Sequence, residues 1–253
     1  MQKRFIYILL FFVLTGYSGF AQGFDWQYSA RMPFKTPKVF IGLTGSADYS
    51  ISTGYINFIQ KYFSCCFFEN GTGIGYSGGA HAEWWLTAST ALFGDLKYMQ
   101  SNNSFKKQSE RYPIVDSSYL QTEFEFLSNA SYLTGEIGAK YRILSTHLHI
   151  DIGTAFALLV SNKYTHFDRA ISQRSFNDGS REKTIIETDM NTSKLSPIVF
   201  YPDIRLGYDF SVGLGKYAGL YIAAGLPVMN TAKSADWKEL KLSLGLTFLT
   251  GIK

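Results

Sequence analysis

His147, His149 and Asp151 stand at i, i+2 and i+4, and in an extended chain that spacing puts all three on one face. Imidazole and carboxylate are metal ligands, so this triplet is the first candidate for chemistry. Its plainer reading is a polar network beside a turn. His166 and Asp168 form a second pair in a Ser-containing stretch, where with a nearby serine they could serve a hydrolase. No spacing around them matches a nucleophile motif. Cys65 and Cys66 are adjacent, and a disulfide between neighbours would be strained and reducible. They could form a redox or metal handle; the plainer reading is packing within Cys-Cys-Phe-Phe. Two cysteines are too few for a disulfide scaffold or a structural zinc site of paired ligands. The residues therefore assign no catalytic, cofactor-binding or metal-binding position and no cofactor.

These residues sit in a chain of 253 residues, 46% apolar and 17% aromatic, which argues against disorder. Charged residues make up only 17%, below the usual ~25% of soluble domains. The net charge of +4 is too small and too scattered for a nucleic-acid groove. Residues 1–21 read as a secretory signal peptide. Lys3 and Arg4 precede the apolar run Phe5 to Leu14, and Gly19-Phe20-Ala21 offers a cleavage site. Residues 22–253 are expected to form one domain, with no internal linker.

Eight segments alternate with period two, the signature of half-buried strands. They run over 39–50, 74–86, 92–98, 133–143, 147–160, 200–211, 219–228 and 240–248. One face of each is apolar, as in Leu92, Leu96 and Tyr98 or Ile204, Leu206 and Tyr208, and carries no Asp, Glu, Lys, Arg or His. The other face collects Asp48, Glu83, Asp95, Glu136, Asp151, Asp203 and Asp209 with Lys97, Lys140, Arg142, Arg205 and Lys241. A soluble barrel has an apolar lumen and a charged exterior, and a transmembrane barrel inverts this. The Gly, Ser and Thr of the polar faces fit a narrow lumen, and the near-balance of charges there suggests ion pairs filling it rather than a selective pore. Short connections at 87–89, 145–146 and 213–216 alternate with mostly long ones at 51–73, 101–118 and 161–197, then a shorter one at 231–237. Tight turns would then lie on the periplasmic side and long loops outside. Tyr49, Tyr76, Tyr98 and Phe200 would mark the outer rim, and Trp84, Tyr141, Tyr208, Phe210 and Phe248 the inner rim. The stretch Thr122–Phe126 alternates with opposite parity to 133–143, so a bulge is expected near Ser128 and Asn129.

The signal peptide, the eight amphipathic strands and the terminal strand Leu240–Phe248 resemble small outer-membrane β-barrel proteins, of the PorT-like branch and the OmpX/OmpA type. The resemblance covers about residues 38–250 and rests on pattern and topology. The chain departs from it at its end, where Phe248 is followed by five residues instead of closing the chain as the aromatic that the insertion machinery reads. The fold expected is all-β, an eight-stranded antiparallel up-and-down transmembrane β-barrel in the outer membrane of a Gram-negative bacterium. The resemblance implies a non-enzymatic role in binding, envelope integrity or as a secretion-associated scaffold. Expected partners are outer-membrane lipid and lipopolysaccharide, the barrel-assembly machinery and secretion-system or surface proteins, with no nucleic acid. Lys163, Arg169, Arg174, Arg181 and Lys183 of the longest loop are candidates for lipopolysaccharide phosphates. Two alternatives remain open: a lipid A deacylase- or acyltransferase-like enzyme using His166 at the rim, and a soluble periplasmic ligand-binding barrel.

Overall fold

The computed structural model describes residues 37–56, 68–109, 112–114, 118–143, 146–171, 180–189, 195–213, 215–232 and 236–252. Among the described residues the secondary structure is almost entirely β. In chain order the strands are β1 (Val39–Ile56), β2 (Phe68–Trp85), β3 (Thr90–Gln108), β4 (Tyr112–Ile114), β5 (Ser118–Leu120), β6 (Thr122–Arg142), β7 (Leu148–Ala170), β8 (Glu182–Asp189), β9 (Ile198–Gly213), β10 (Lys216–Gly225) and β11 (Asp236–Ile252). Eight of them close an antiparallel up-and-down ring in the order β1, β2, β3, β6, β7, β9, β10, β11, sealed where β11 returns to β1. β8 pairs with β7 above the point where β9 leaves it, and β4 pairs with β5 as a separate small hairpin.

Each of the eight alternating segments is a wall strand. Their apolar faces point outward: Leu43, Ile74, Leu96, Ile137, Ile152, Ile222 and Leu244 are all exposed, Ile74 to 71%. Charged side chains point inward, where Glu83, Asp95, Lys140, Arg205 and Asp209 are buried. Surface and interior are thus inverted relative to a water-soluble barrel. The aromatics expected at the rims lie on the outward face, with the Tyr208 ring tilted against Phe210 at 4.8 Å and Phe200 against Phe156 at 5.2 Å.

The strands run far beyond the alternating segments, so three of the expected long loops are largely β-hairpin extensions. β3 stays paired with β6 up to Gln108 and Glu123, and β6 with β7 up to Thr122 and Ala170. The reason is a swap of surroundings. In the extensions the outward positions turn polar, as in Asn102, Ser104 and Lys106, while Phe105 points inward. On β6, Phe126 keeps the inward parity of Thr134 and Glu136, so the bulge expected near Ser128 and Asn129 is absent there. The irregularity lies on β7 instead. Ser131 pairs with Ser161 and Tyr132 with Leu159, leaving Val160 as the extra residue. Residues 1–36, including the expected signal segment, lie outside the described residues.

The lumen is layered. Phe40, Trp85, Ala91, Tyr217 and Leu249 close the end with the tight turns. Phe68, Phe105, Phe126, Leu195 and Trp237 close the other end, with Met99 and Tyr132 beneath them. The charged layer lies between. Gly245 on β11 lets the Tyr221 ring cross this layer, because a Cβ there would stand 2.2 Å from Tyr221 Cζ. The Tyr221 hydroxyl hydrogen-bonds with Thr44 Oγ1 at 3.2 Å across the lumen. Gly135 has nothing within 4 Å of a built Cβ. Gly245→Ala should therefore destabilise the barrel by roughly 1–3 kcal/mol through overpacking, while Gly135→Ala should leave it near the wild type. Urea midpoints read from heat-modifiable gel mobility will distinguish the two.

Candidate functional site

The only dense cluster of chemically capable side chains among the described residues is the charged layer of the lumen. Five neighbouring strands build it by alternation: β2 presents His81 and Glu83, β3 Asp95 and Lys97, β6 Glu136, Lys140 and Arg142, β7 His149 and Asp151, and β9 Asp203, Arg205 and Asp209. Arg205 is one hub. Its guanidinium donates to Asp203 Oδ2 at 3.0 Å, to Asp95 Oδ2 at 2.9 Å and to Glu136. Lys97 Nζ donates to the other Glu136 oxygen at 2.8 Å. Lys140 is a second hub, 2.8 Å from Glu83 Oε1 and 2.9 Å from Asp209 Oδ2. His81 bonds both Asp95 and Glu83 and so joins the hubs into one network.

At the turn end the network ends on aromatics. Glu83 accepts from Trp85 Nε1 at 3.0 Å, and the Arg142 guanidinium lies 4.0 Å over the Trp85 ring. The opposite wall, β1, β10 and β11, answers with small groups such as Thr44, Ser46, Ser243 and Thr247. Two cavities of about 30 Å³ each lie in the lumen, one within the charge layer beside Lys97, Glu136, Asp203 and Arg205 and one above it beside Tyr132, Glu239 and Lys241, room for water-sized groups. An arrangement of this kind neutralises and fills a lumen.

The sequence-derived candidates are dispersed. His149 has both ring nitrogens engaged, Nδ1 with Asp151 at 2.7 Å and Nε2 with Asp209 at 3.4 Å. His147 lies instead against the Tyr208 ring at 5.9 Å. The triplet thus splits between the lumen network and the turn. His166 sits on the β7 extension, 1% exposed, between the rings of Phe68 at 6.2 Å and Phe124 at 5.9 Å. Neither of its ring nitrogens has a hydrogen-bond partner among the described residues, so no serine is joined to it. Arg169 is held by Glu182 at 2.8 Å and Glu125 at 3.6 Å, which makes it a strut of the extension. Lys106 reaches Glu125 at 3.3 Å from the other side. Cys65, Cys66 and Arg174 lie outside the described residues.

Two features escaped the sequence reading. The aromatic layers are signalled by Phe40, Phe105, Phe126 and Trp237, which fall on the inward parity. Glu239, inward on β11, bonds Ser101 Oγ at 3.4 Å and Asn103 Nδ2 at 3.3 Å, and tethers β11 to β3 across the lumen. It precedes the alternating segment that begins at Leu240 and so carried no pattern.

No family model and no curated protein matches this chain. Among solved structures it is similar to Neisserial surface protein A (9% identity, TM-score 0.39, covering 87% of this chain and 100% of that one). It is also similar to Ail, the attachment invasion locus protein of Yersinia pestis (9% identity, TM-score 0.30, 84% and 99%). A third is the outer membrane protease OmpT from Escherichia coli (6% identity, TM-score 0.33, 88% and 99%). At such identities these likenesses concern the fold alone.

Two outcomes follow from the geometry. Arg205→Ala removes the partner of three buried carboxylates and should destabilise the barrel by about 3–5 kcal/mol, seen as a lowered urea midpoint. Burial pushes the His166 pKa below its ordinary 6.5, so the folded cap favours neutral imidazole. The unfolded chain takes up a proton that the cap refuses, so stability falls as pH drops below 6.5. Protection factors at 122–130 and 162–168, taken relative to the intrinsic exchange rate at each pH, should fall between pH 7 and about pH 5. His166→Phe should flatten that dependence.

Proposed function

We propose that the chain is an outer-membrane barrel, exported by its residues 1–21 and closed along its axis, whose work is done by the β-hairpins that rise above the membrane. The carrying observation is the layered lumen. An aromatic layer at each end and a paired charge layer between them surround, among the described residues, the two water-sized cavities given above, which does not favour traffic along the axis. The charge-free outward face fits lipid, since an Arg or Lys at the midplane would cost about 2–4 kcal/mol. What remains to meet the outside is the tall wall of β3, β6, β7 and β8.

This wall is braced for display. Lys106, Glu125, Arg169 and Glu182 form a ladder of ion pairs across four strands on its outer surface. Such exposed pairs are individually weak, but four strands in one register hold a rigid surface. We read the role as non-enzymatic: binding or adhesion at the cell surface, envelope integrity, or a scaffold beside a secretion machine, the last being what the PorT-like resemblance implies. His166, buried among rings without a hydroxyl partner, gives no support to a lipid-modifying enzyme. The ionic lumen speaks against a soluble apolar-ligand barrel.

The mature protein should remain with outer-membrane fragments through alkaline carbonate extraction. Ile137→Arg should abolish heat-modifiable mobility, while Thr134→Ser, one wall face away, should not. In planar bilayers the native protein should pass no steady current. Recovery in the soluble periplasm, equal folding of both variants, or open-channel steps would each contradict this reading.

A further inference from the structure

The outward face of the tall wall changes character twice along its strands. On β3 it passes from Leu96 and Tyr98 through Gln100, Asn102 and Ser104 to Lys106. On β6 it passes from Leu133 through Ser131, Asn129 and Leu127 to Glu125. On β7 Leu158 is followed, past the bulge, by Ser161, Lys163 and Thr165. The rows are in register: Gln100 stands opposite Ser131 and Ser131 opposite Ser161, and the next outward row is Asn102, Asn129 and Lys163. A tier dominated by amides and hydroxyls thus lies between the apolar belt and the ion-pair ladder. Lys163 is its one charge on these three strands. The barrel itself does not demand such a tier. On β11 the outward positions pass from Leu242 and Leu240 directly to Lys238 and Asp236.

Internal bonds set the tier in place. Ser131 Oγ donates to Gln100 Oε1 at 2.5 Å, the Tyr98 hydroxyl donates to the same oxygen at 3.4 Å, and Gln100 Nε2 donates to Asn102 Oδ1 at 3.3 Å. Asn102 Nδ2 and the exposed amide of Asn129 beside it make no further bond among the described residues. The depth of the tier is also informative. From Gln100 to Ser104 the strand advances ~14 Å at ~3.4 Å per residue, which is ~10 Å in height at a tilt of ~40°. The headgroup region of a phospholipid leaflet is only ~5–7 Å deep. Phosphate at this level would call for Lys and Arg, whereas amides and hydroxyls donate to and accept from other hydroxyls. Tyr76 and Tyr98, exposed at the lower edge, offer ring faces to the C–H side of a sugar.

We propose that the outward tier of β3, β6 and β7 receives the sugar headgroup of an outer-leaflet glycolipid, bound through its hydroxyls rather than through phosphate. The acyl chains lie below it, against Leu96, Leu133 and Leu158. The inference deepens the lipid contact of the membrane reading above and rests on it. The occupant follows from continuity and from charge. The tier runs without a break into the lipid-facing belt, so one amphiphile covers both surfaces. It is nearly uncharged between an apolar zone and an ionic one, and it is deeper than a phosphate ester needs.

The test places the native protein in nanodiscs of zwitterionic phosphatidylcholine. Small equal fractions of a digalactosyl diacylglycerol and a phosphatidylglycerol with the same acyl chains are added. Lipids that stay with the barrel are counted by native mass spectrometry. The glycolipid should be retained about five-fold or more over either phospholipid, as one or two net hydrogen bonds would give. The pair Asn102→Val and Asn129→Val should remove that preference while heat-modifiable mobility is kept, and Lys106→Gln should leave it unchanged. Should the double variant fail to fold, Asn102→Ala alone carries the comparison and should weaken the preference. Excess lactose should not displace the glycolipid. Equal retention of the three lipids, enrichment of phosphatidylglycerol instead, a preference that survives the folded asparagine variants, or displacement by lactose each overturns the glycolipid tier and leaves the barrel's orientation standing. Failure of the native protein to enter the discs overturns the orientation, and the tier with it.

Discussion

Charges inside a ring of eight strands have little water to turn to, so each must find its opposite within the reach of a side chain. That requirement organises the protein. Arg205 collects three carboxylates and Lys140 two, and His81 bonds to an acid of each group. Two long basic side chains extended across so narrow a lumen leave no volume for large residues opposite. The facing wall is accordingly Thr44, Ser46, Gly219, Ser243, Gly245 and Thr247, with Tyr221 fitted over Gly245. The aromatic layers at the two ends keep bulk water from the pairs, which strengthens them and makes the loss of any one partner costly. Once the polar side chains are spent inward, the outward face is left apolar, and only lipid satisfies such a surface.

The eight wall strands and their facing were legible because lipid imposes the strictest alternation a chain can carry. No charge interrupts the outward face between Val39 and Tyr49 or between Leu240 and Phe248. The extensions were not legible for the same physical reason. Above the belt water lies outside and an apolar cap inside, so the parity of apolar residues reverses while the strand runs straight on. Glu123, Phe124, Glu125 and Phe126 are the plainest case: an apparent shift of one residue is a change of solvent. The true bulge, at Val160, falls on the last residue of the alternating segment 147–160, so the pattern stops where the bulge begins and cannot reveal it.

The chemistry was harder to read than the architecture. His147, His149 and Asp151 share a face only if the strand begins before His147, and β7 begins at Leu148. His166 looked like a rim residue because the sequence around it lacks the lipid pattern, yet the hairpin extension buries it under Phe68 and Phe124. Partnership is the quantity that sequence conceals. Lys97 and Lys241 look alike on the inward parity of their strands, and only the fold gives one a pair of acids and the other a thioether and a ring.

The wall is not equally regular all the way round. A ladder continues only while both neighbours can donate and accept. Pro202 on β9 cannot donate, and Pro227, two residues past the end of β10, cannot either. The regular ladder of β10 stops at Gly225 between them, and residues 226–232 go on between β9 and β11 through single bonds, Leu226 N to Pro202 O, Ser196 N to Thr231 O and Thr231 N to Trp237 O. The tall wall of β3, β6 and β7, by contrast, carries the Lys140 hub and the acids Asp95 and Glu136 below and the Lys106–Glu125–Arg169 ladder above. On the reading proposed above, a barrel closed by rings at both ends and tallest where β3, β6, β7 and β8 rise together meets other molecules at its rim rather than along its axis.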